Sequence, residues 1–282
     1  MDKKNIFLDG VWVDVTERFI KSLSPGVLKA RGVFETMRAY PGRAGPSRVV
    51  IFKAKDHLIR LKEGLSVLKI KITYSSEELK RLMLEALRKN QLEEGRLRLM
   101  IWAHGSKVRV AVIVWPYHAF FSAEYQKGFQ VCISKIKRNE KFFSPGIKSL
   151  DYFSLLKAYQ RARRQGNDEA LLLNSHGKIA EASRANIFWI KDQELLTPSL
   201  ECGCLNGITR QTVIGLARKM GIKVRMVQAS PAELLEADEA FLTNSVMEVM
   251  PLTEIKGKTI GKGMAGALTR KILAGYRRLI AN

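Results

Sequence analysis

Apolar and polar residues recur with two different periods in the first 117 residues, and these periods predict short strands and two helices. The segments NIFLDGVWVDV, GVFETMRAY and RVVIF read as strands, and RLRLMIW and KVRVAVIVW read as two apolar strands joined by a His-Gly-Ser turn. A spacing of three and four residues places one set of leucines on a single helix face: Leu58, Leu61, Leu65 and Leu68. A second helix is predicted to begin at Ser75, because Ser75 and Glu78 have the spacing of a capping box.

The second half of the chain mixes strands and helices without the regular alternation of a Rossmann domain. FQVCIS, EALLLN, NIFWIK and EAFLTN read as strands. Helices are predicted over 152–165, over GITRQTVIGLARKMG, at the Ser230-Pro231 pair and over 264–280. No glycine-rich dinucleotide fingerprint follows a strand, and no P-loop motif occurs.

Between these halves, the segment PYHAFFSAEYQKG breaks the apolar pattern. The chain is therefore predicted to be an α+β protein of two domains. A smaller N-terminal domain spans 1–117, a linker spans 118–125 and a larger C-terminal domain spans 126–282.

Composition agrees with a globular protein, since 46% of the 282 residues are hydrophobic and 27% are charged. No apolar run approaches the roughly 18 residues of a membrane-spanning helix, and the N-terminus shows no secretory signal. Three cysteines make a poor disulfide framework, so a cytoplasmic location is expected. Cys202-Gly-Cys204 is too sparse for a zinc site, and no metal site is predicted.

The formal net charge of +21 favours anionic ligands. The basic residues are scattered, however, and form neither a tail nor a zinc-finger or RNA-recognition pattern. This distribution argues against nucleic acid as the main ligand and favours a generally basic surface.

Four features of the second half and one of the first suggest specific chemistry. Lys148 lies between a Pro-Gly turn and a predicted helix, and Glu181 lies among small residues at the end of a strand. The LNGITR segment places backbone N–H groups at a helix start, where they can bind a phosphate. Thr243, Asn244 and Ser245 place polar groups at a strand end, and Arg60 lies off the leucine face of its helix.

Each feature also has an ordinary interpretation. Taken alone, Lys148 and Arg60 are also consistent with solvated charges, Glu181 with an exposed hairpin residue, and the Gly-Ile-Thr sequence with a simple helix cap. Together, the set matches what pyridoxal 5′-phosphate needs. The aldehyde needs an amine, the pyridine nitrogen needs a carboxylate, and the phosphate needs donors.

The motifs GVFETMRAY, HLIRL, GIKSLDY, NDEALLLNSHGKIAEASRANIF, LLTPSLECGCLNGITR and ADEAFLTNSVMEVMPL occur in the order found in one enzyme family. On these motifs the chain resembles the class IV, fold-type IV pyridoxal-phosphate enzymes. That family contains branched-chain aminotransferases, D-amino-acid aminotransferases and 4-amino-4-deoxychorismate lyase. The resemblance implies a small N-terminal α+β domain and a larger domain around a barrel-like twisted sheet, with the cofactor between them. It also implies a homodimer.

The resemblance assigns roles to residues at the matching positions. Lys148 matches the catalytic lysine that forms the Schiff base, and Glu181 matches the carboxylate that pairs with the pyridine nitrogen. Arg60 matches the phosphate-binding arginine. The remaining cofactor-binding positions implied by the motifs are Tyr152, Leu205, Ile208, Thr209, Asn244 and Ser245.

Two activities follow from these roles, and a third interpretation needs no cofactor. The favoured activity is that of an aminotransferase of the D-amino-acid or branched-chain type, which would move an amino group between an amino acid and a 2-oxo acid through a Schiff base on Lys148. A lyase of the aminodeoxychorismate type would expel a substituent instead, and the segments LTNSVMEVMP and ANIFW resemble those lyases. The third interpretation is a basic binding protein that takes up no pyridoxal phosphate.

Departures from the family pattern suggest the substrate. Lys29 occupies the position of an aromatic residue that branched-chain enzymes carry five residues before Phe34, and His104 precedes the glycine where D-amino-acid enzymes carry arginine. Arg31 and Arg184 replace smaller residues. Each of these side chains either points outward or lines the pocket. If two or more line it, we expect a carboxylate trap that favours acidic keto acids or acidic D-amino acids over leucine, isoleucine and valine.

Overall fold

The computed structural model describes residues 5–14, 31–42, 49–139 and 146–281. The chain forms two compact units. The first contains Met1–His118 and the short segment Ile147–Tyr152, and the second contains Ala119–Gly146 and Phe153–Ile280. The segment with Lys148 therefore belongs to the first unit, whereas the sequence grouped it with the larger domain. Lys29 lies outside the described residues.

The first unit is built on an antiparallel sheet of six strands. The strands are β1 (Asn5–Leu8), β2 (Val11–Asp14), β3 (Gly32–Pro41), β4 (Val49–Ile51), β5 (Gly95–His104) and β6 (Lys107–Pro116). Their order across the sheet is β2-β1-β6-β5-β3-β4. The predicted hairpin of β5 and β6 is confirmed, with His104 opposite Lys107 at its turn.

Two helices pack on one face of this sheet, α1 (Ala54–Val67) and α2 (Ser76–Lys89). The predicted leucine face of α1 is buried at Leu58, Leu61 and Leu65, whereas Leu68 is the C-cap residue and packs at the edge of the core. The predicted capping box of α2 is confirmed, since Ser75 and Glu78 exchange both hydrogen bonds. Alternate residues of β5 lie under these helices and are completely buried: Leu97, Leu99 and Ile101.

The second unit is built on a mixed sheet. Its strands are β7 (Phe129–Ile133), β8 (Glu169–Leu173), β9 (Ile179–Ala182), β10 (Asn186–Lys191), β11 (Glu194–Pro198), β12 (Val224–Val227), β13 (Glu239–Asn244), β14 (Glu248–Ile255) and β15 (Lys258–Thr259). The order is β12-β11-β10-β13-β14-β7-β8-β9, and β15 pairs with β14. The last strand, β9, also contacts β10 and β11, so the sheet curls towards a barrel. Phe188 and Phe241 are fully buried cross-strand partners in it, and their rings stack 5.1 Å apart.

The helices of the second unit are α3 (Ser122–Lys127), α4 (Phe153–Arg164), α5 (Ile208–Lys219), α6 (Pro231–Leu235) and α7 (Ala267–Ala281). The helices predicted from the sequence correspond to α4, α5, α6 and α7. Residues 118–125, predicted as a linker, include the start of α3. Strands β11, β12, β14 and β15 were not predicted. For β14 the clearest reason is Pro251, because proline is rare in a central strand. In the part of the chain that the structure describes, the helices are too short or too polar to cross a membrane.

Candidate functional site

Lys148 is held beside the start of β3 by backbone hydrogen bonds at Lys148 itself and at Leu150. The Lys148 carbonyl accepts a hydrogen bond from the Phe34 amide at 2.9 Å, and the Leu150 amide donates to the Gly32 carbonyl at 2.9 Å. Gly32 is needed for this approach, because a Cβ there would lie 2.7 Å from Leu150 and 2.6 Å from Trp102. The lysine backbone is therefore fixed although its segment lies outside the regular strands.

The Lys148 amino group lies against aromatic rings. Its Nζ is 4.6 Å from the centre of the Phe34 ring and 5.6 Å from that of Tyr152, and the two rings meet edge to face at 5.4 Å. Lys148 is half-buried and Phe34 is buried. The amine is therefore partly desolvated, which is one of the conditions under which a lysine reacts as an amine.

Arg98 lies beside the same aromatic ring, Phe34, and was not singled out from the sequence. Its guanidinium carbon lies 4.8 Å from the Phe34 ring centre, and its Nε donates to the Thr36 hydroxyl at 3.4 Å. Burial, and secondarily the charge of Arg96, lowers the pKa of the Arg98 guanidinium. Among the residues that the structure describes, no carboxylate forms an ion pair with it. The sequence could have indicated this position. In the strand RLRLMIW, Arg98 alternates with the buried leucines, so its side chain lies on the sheet face opposite the helices.

Arg60 is buried, so its interpretation as a solvated arginine is wrong. Only 8% of it is exposed, and its guanidinium forms a bidentate pair with Glu35. Glu35 was not singled out in the sequence reasoning, although it belongs to the GVFETMRAY motif. A buried partner of this kind is visible only once β3 and α1 are packed together.

Glu181 lies on β9 in the second unit and is 5% exposed, so its interpretation as an exposed hairpin residue is wrong. Its Oε1 lies 3.1 Å from the Nε of Arg138, and its Oε2 accepts a hydrogen bond from the Leu205 amide at 2.9 Å. Arg138 Nε also donates to the Gly203 carbonyl at 3.0 Å. The carboxylate is thus oriented by a cation and by the loop that precedes α5.

The N-terminus of α5 has the features of an anion site. Gly207 is its N-cap residue and carries no side chain that could cap the helix. Ile208 and Thr209, whose amides begin the helix, are buried. Only Leu205 to Gly207 separate the amide bound by Glu181 from this helix start, a length of about 10 Å when extended. The second unit therefore brings a buried carboxylate and a helix N-terminus within the length of one ring-and-phosphate cofactor.

Buried polar side chains hold the loop in this position. Asn186 on β10 donates to the Leu205 carbonyl at 2.8 Å. Arg210, in the first turn of α5, donates to the Pro198 carbonyl at 3.0 Å and to Asn206 at 3.2 Å. Its pKa is lowered by burial, and its Nε is a buried donor without a hydrogen-bond partner among the described residues.

Substitution of Gly207 by alanine is expected to displace this loop. A Cβ at Gly207 would lie 2.1 Å from Asn186 Oδ1, so Asn186 must move and its bond to Leu205 must break. We expect Gly207→Ala to weaken binding of pyridoxal phosphate by about fivefold or more, since such a bond is worth about 1 kcal/mol and the helix start moves with it. Titration of the cofactor by absorbance tests this. Gly215→Ala on the same helix is the control, because nothing lies within 4 Å of its Cβ position.

Asn244 and Ser245 lie in the turn between β13 and β14 and are partly buried. Asn244 Oδ1 accepts hydrogen bonds from the amides of Val246 and Met247, both at 2.9 Å, and its Nδ2 donates to the Arg184 carbonyl at 3.1 Å. Asn244 therefore shapes its own turn and ties it to the loop after β9.

The structure places the candidate substrate residues in different surroundings. Arg184 is engaged within its own unit, with its Nε 3.1 Å from Glu169 and its guanidinium carbon 3.3 Å from the Tyr159 ring centre. Arg31 and His104 are exposed, whereas Phe34 is buried beside Lys148. Of the candidate substrate residues in the first unit, Phe34 is the one that contacts Lys148 in the part of the chain that the structure describes.

The chain matches known proteins over nearly its full length. The family model for amino-transferase class IV matches residues 32–255. The branched-chain-amino-acid aminotransferase of Pseudomonas aeruginosa is 33% identical, over 98% of this chain and 92% of that protein. The solved structure of the branched-chain aminotransferase from Thermoproteus uzoniensis with norvaline is also similar (TM-score 0.88, 30% identity, 99% of this chain and 95% of that one). So is the structure of the branched-chain amino acid aminotransferase from Escherichia coli (TM-score 0.89, 27% identity, 98% and 94%).

Proposed function

We propose that this chain, which belongs to the class IV aminotransferase family, moves amino groups between branched-chain L-amino acids and 2-oxoglutarate. The family and the fold make it a pyridoxal-phosphate-dependent transaminase of fold-type IV. The observation that carries the choice of substrates is the cluster of Lys148, Phe34 and Arg98. An amine, a buried aromatic ring and a cation without a carboxylate partner among the described residues lie together there.

The cofactor fits the residues that are present. When bound, pyridoxal phosphate supplies an electron-poor ring that takes up the charge left on a substrate carbon when its proton is removed. The buried carboxylate of Glu181 suits a protonated pyridine nitrogen, and the uncapped N-terminus of α5 suits a phosphate. We assign these two roles to Glu181 and to the amides of Ile208 and Thr209.

The remaining roles concern proton transfer and orientation. With pyridoxal phosphate bound, Lys148 Nζ would take the proton from the substrate Cα and return it to C4′ of the cofactor, two atoms away, which requires an amine able to shift between two positions. Its backbone is fixed by Phe34, whereas its side chain lies along aromatic rings that make no directional bond with it. Arg60 is assigned to the phosphate, and Tyr152, Leu205, Asn244 and Ser245 to the surroundings of the ring.

An apolar side chain and a carboxylate can both be accommodated beside Lys148. Phe34 offers buried apolar surface for a branched aliphatic chain. Arg98 offers a partly desolvated cation for the side-chain carboxylate of the acidic partner. Other solved branched-chain amino acid aminotransferases similar to this chain hold ligands of both kinds, 4-methylvaleric acid in one structure and N-(5′-phosphopyridoxyl)-L-glutamate in another.

The preference for acidic keto acids or acidic D-amino acids rested on Lys29, Arg31, His104 and Arg184 together. Lys29 lies outside the described residues, and His104 is exposed. Arg184 is already paired with Glu169 and stacked on Tyr159, so its charge is balanced inside the protein. Arg31 supports no such trap either, because the residue is exposed. We therefore prefer the branched-chain substrates. The lyase alternative is not favoured, because the family match and the similar proteins are aminotransferases.

Single-amino-acid reactions test the choice of substrates. Purified protein that holds pyridoxal phosphate is mixed with one amino acid at a time, and the cofactor's absorbance is followed. L-leucine, L-isoleucine, L-valine and L-glutamate are expected to react, and D-glutamate and D-alanine to react at least about tenfold more slowly. Arg98→Met should raise KM for L-glutamate by about tenfold or more while changing that for L-leucine less, because only the glutamate side chain carries a charge.

Arg184→Ala serves as the control for this experiment. It is expected to leave the ratio of rates with L-leucine and D-glutamate unchanged, although the loss of Glu169's partner should lower the melting temperature. Faster reaction with D-glutamate than with L-leucine, reduced by Arg184→Ala, would restore the carboxylate-trap hypothesis. The homodimer implied by the family is part of this proposal, and light scattering from the purified protein measures it.

A further inference from the structure

Two residues in or beside the family motifs have no role in the proposed reaction, Glu35 of GVFETMRAY and His57 of HLIRL. In the first unit these motifs face each other, because β3 carries Glu35 and α1 carries His57 and Arg60. Glu35 has no exposed surface, and His57 and Arg60 are 2% and 8% exposed. Three polar side chains therefore lie inside the apolar layer between sheet and helix.

The carboxylate of Glu35 uses both oxygens. Oε1 accepts from Arg60 Nε at 2.8 Å and Oε2 accepts from Arg60 Nη2 at 2.7 Å, which makes the pair bidentate. Oε2 also lies 2.7 Å from His57 Nδ1. Burial raises the pKa of Glu35, but Arg60 and His57 outweigh it and bring the pKa to about 2. The carboxylate is therefore ionised at neutral pH, and His57 donates from Nδ1.

His57 completes the group as a neutral donor. Burial is the largest influence on the pKa of His57 and lowers it. Glu35 raises this pKa through its charge and hydrogen bond, but burial and the charges of Arg60 and Lys148 together outweigh it. The group thus contains one negative charge, on Glu35, and one positive charge, on Arg60.

Stability alone is a poor explanation for this arrangement. A buried ion pair contributes little compared with well-packed apolar residues of the same volume, because both ions lose their hydration. A bidentate pair does, however, fix the orientation of the guanidinium group. It fixes the plane of a guanidinium that otherwise ends a long flexible side chain, and here it occupies the Nε–Nη2 edge of Arg60. The Nη1 edge is thereby held in a single direction.

We propose that Glu35 is a positioning residue that aims the Nη1 edge of Arg60 at the phosphate of pyridoxal phosphate, with His57 bracing Glu35. This inference rests on the proposed function, in which Arg60 binds that phosphate. Glu35 itself touches neither substrate nor cofactor in this role. Its effect is confined to the phosphate end of the cofactor.

A role of Glu35 in positioning Arg60 and a role in balancing its charge predict different effects of substitutions at Glu35. If Glu35 only balanced the charge of Arg60, Glu35→Gln would strengthen phosphate binding, and Glu35→Asp would change nothing. If Glu35 positions Arg60, both substitutions weaken phosphate binding. Aspartate keeps the charge but is one methylene shorter, and glutamine places an amide donor opposite the arginine's own donors.

The experiment compares pyridoxal phosphate with pyridoxal, which lacks the phosphate. Both are titrated into the full-length protein after removal of its cofactor, for the wild type, Glu35→Asp, Glu35→Gln and His57→Gln. We expect Glu35→Asp and Glu35→Gln to reduce the preference for pyridoxal phosphate over pyridoxal by about tenfold or more, with affinity for pyridoxal within about threefold of wild type. His57→Gln should show a smaller reduction, because it retains a donor to Glu35.

The control is Glu94→Gln. Glu94 forms a partly exposed ion pair with Arg38, which lies three residues after Glu35 on β3, with Arg38 Nε and Nη2 at 3.2 Å and 2.5 Å from its Oε1. That pair has no assigned role, so the phosphate preference should not change. At saturating cofactor, Glu35→Asp should keep kcat within a few-fold of wild type, since the proton-transfer groups are untouched.

An unchanged phosphate preference in Glu35→Asp, or a loss of pyridoxal affinity as large as the loss for pyridoxal phosphate, overturns the positioning role. Either result would show that Glu35 acts only on charge or on the fold. If Glu35→Gln does not fold, Glu35→Asp alone decides, since it keeps the buried charge pair. If the wild type binds pyridoxal phosphate no better than pyridoxal, the phosphate role of Arg60 and the positioning role of Glu35 are both overturned. If the wild type binds neither compound, the proposed function is overturned as well.

Discussion

Lys148→Ala is expected to lower the rate of transamination by about 10²- to 10⁴-fold, the range lost when a positioned general acid–base is removed. The substitution deletes the amine that lies against Phe34 and Tyr152, but it leaves the backbone hydrogen bonds of residues 148 and 150 in place. The first unit should therefore keep its fold. Non-covalent uptake of pyridoxal phosphate should persist, because the residues assigned to the phosphate are unchanged.

Two measurements check this result. The rate of the reaction with L-leucine is followed by absorbance, and borohydride treatment followed by peptide mass analysis locates the lysine to which the cofactor becomes fixed. Lys157→Ala is the matched control, because Lys157 is an exposed lysine on α4. Wild-type turnover by Lys148→Ala, or fixation at another lysine, would show that the reactive amine has been misassigned.

Glu181→Gln is expected to slow the same reaction on the order of 10²-fold, because a glutamine cannot hold a proton on the pyridine nitrogen as a carboxylate does. The glutamine oxygen can still accept from the Leu205 amide, so the loop before α5 should stay in place. Arg138, whose Nε lies 3.1 Å from the carboxylate, loses its ionic partner. Some loss of stability is therefore expected beside the loss of rate.

The two effects are separated by measuring the single-turnover rate and the melting temperature of the same protein. Glu194→Gln is the control, since Glu194 is paired with Lys223 at 2.6 Å and Arg225 at 3.2 Å on the surface of the same unit. A fall in melting temperature with an unchanged single-turnover rate would assign Glu181 a purely structural role.

Local elements were readable from the sequence because their causes lie within a few residues. The capping box at Ser75 and Glu78 depends on a spacing of three, and the leucine face of α1 depends on the helical period. The hairpin of β5 and β6 depends on alternation and one short turn. The strand β14 was missed because Pro251 is a local signal against a strand. Its pairing with the distant strands β13 and β7, which no local pattern shows, makes this segment a strand nonetheless.

The order of the motifs also sufficed to identify the family and the cofactor, and it assigned positions to Lys148, Glu181 and Arg60. That information is carried by residue types along the chain. It did not extend to the surroundings of those side chains. The sequence left Glu181 and Arg60 open between buried and solvated, and both are buried in the structure.

Only tertiary structure decided which charges are partners. Glu35 and Arg60 are 25 positions apart, and the Leu205 amide is 24 positions from Glu181. Arg184 was a candidate for binding substrate carboxylates until packing placed Glu169 and Tyr159 against it. Such pairings depend on strand register and on which helix face meets which sheet face. A shift of one residue along a strand would turn each side chain to the opposite face, and no local pattern in the chain encodes the partner it finds there.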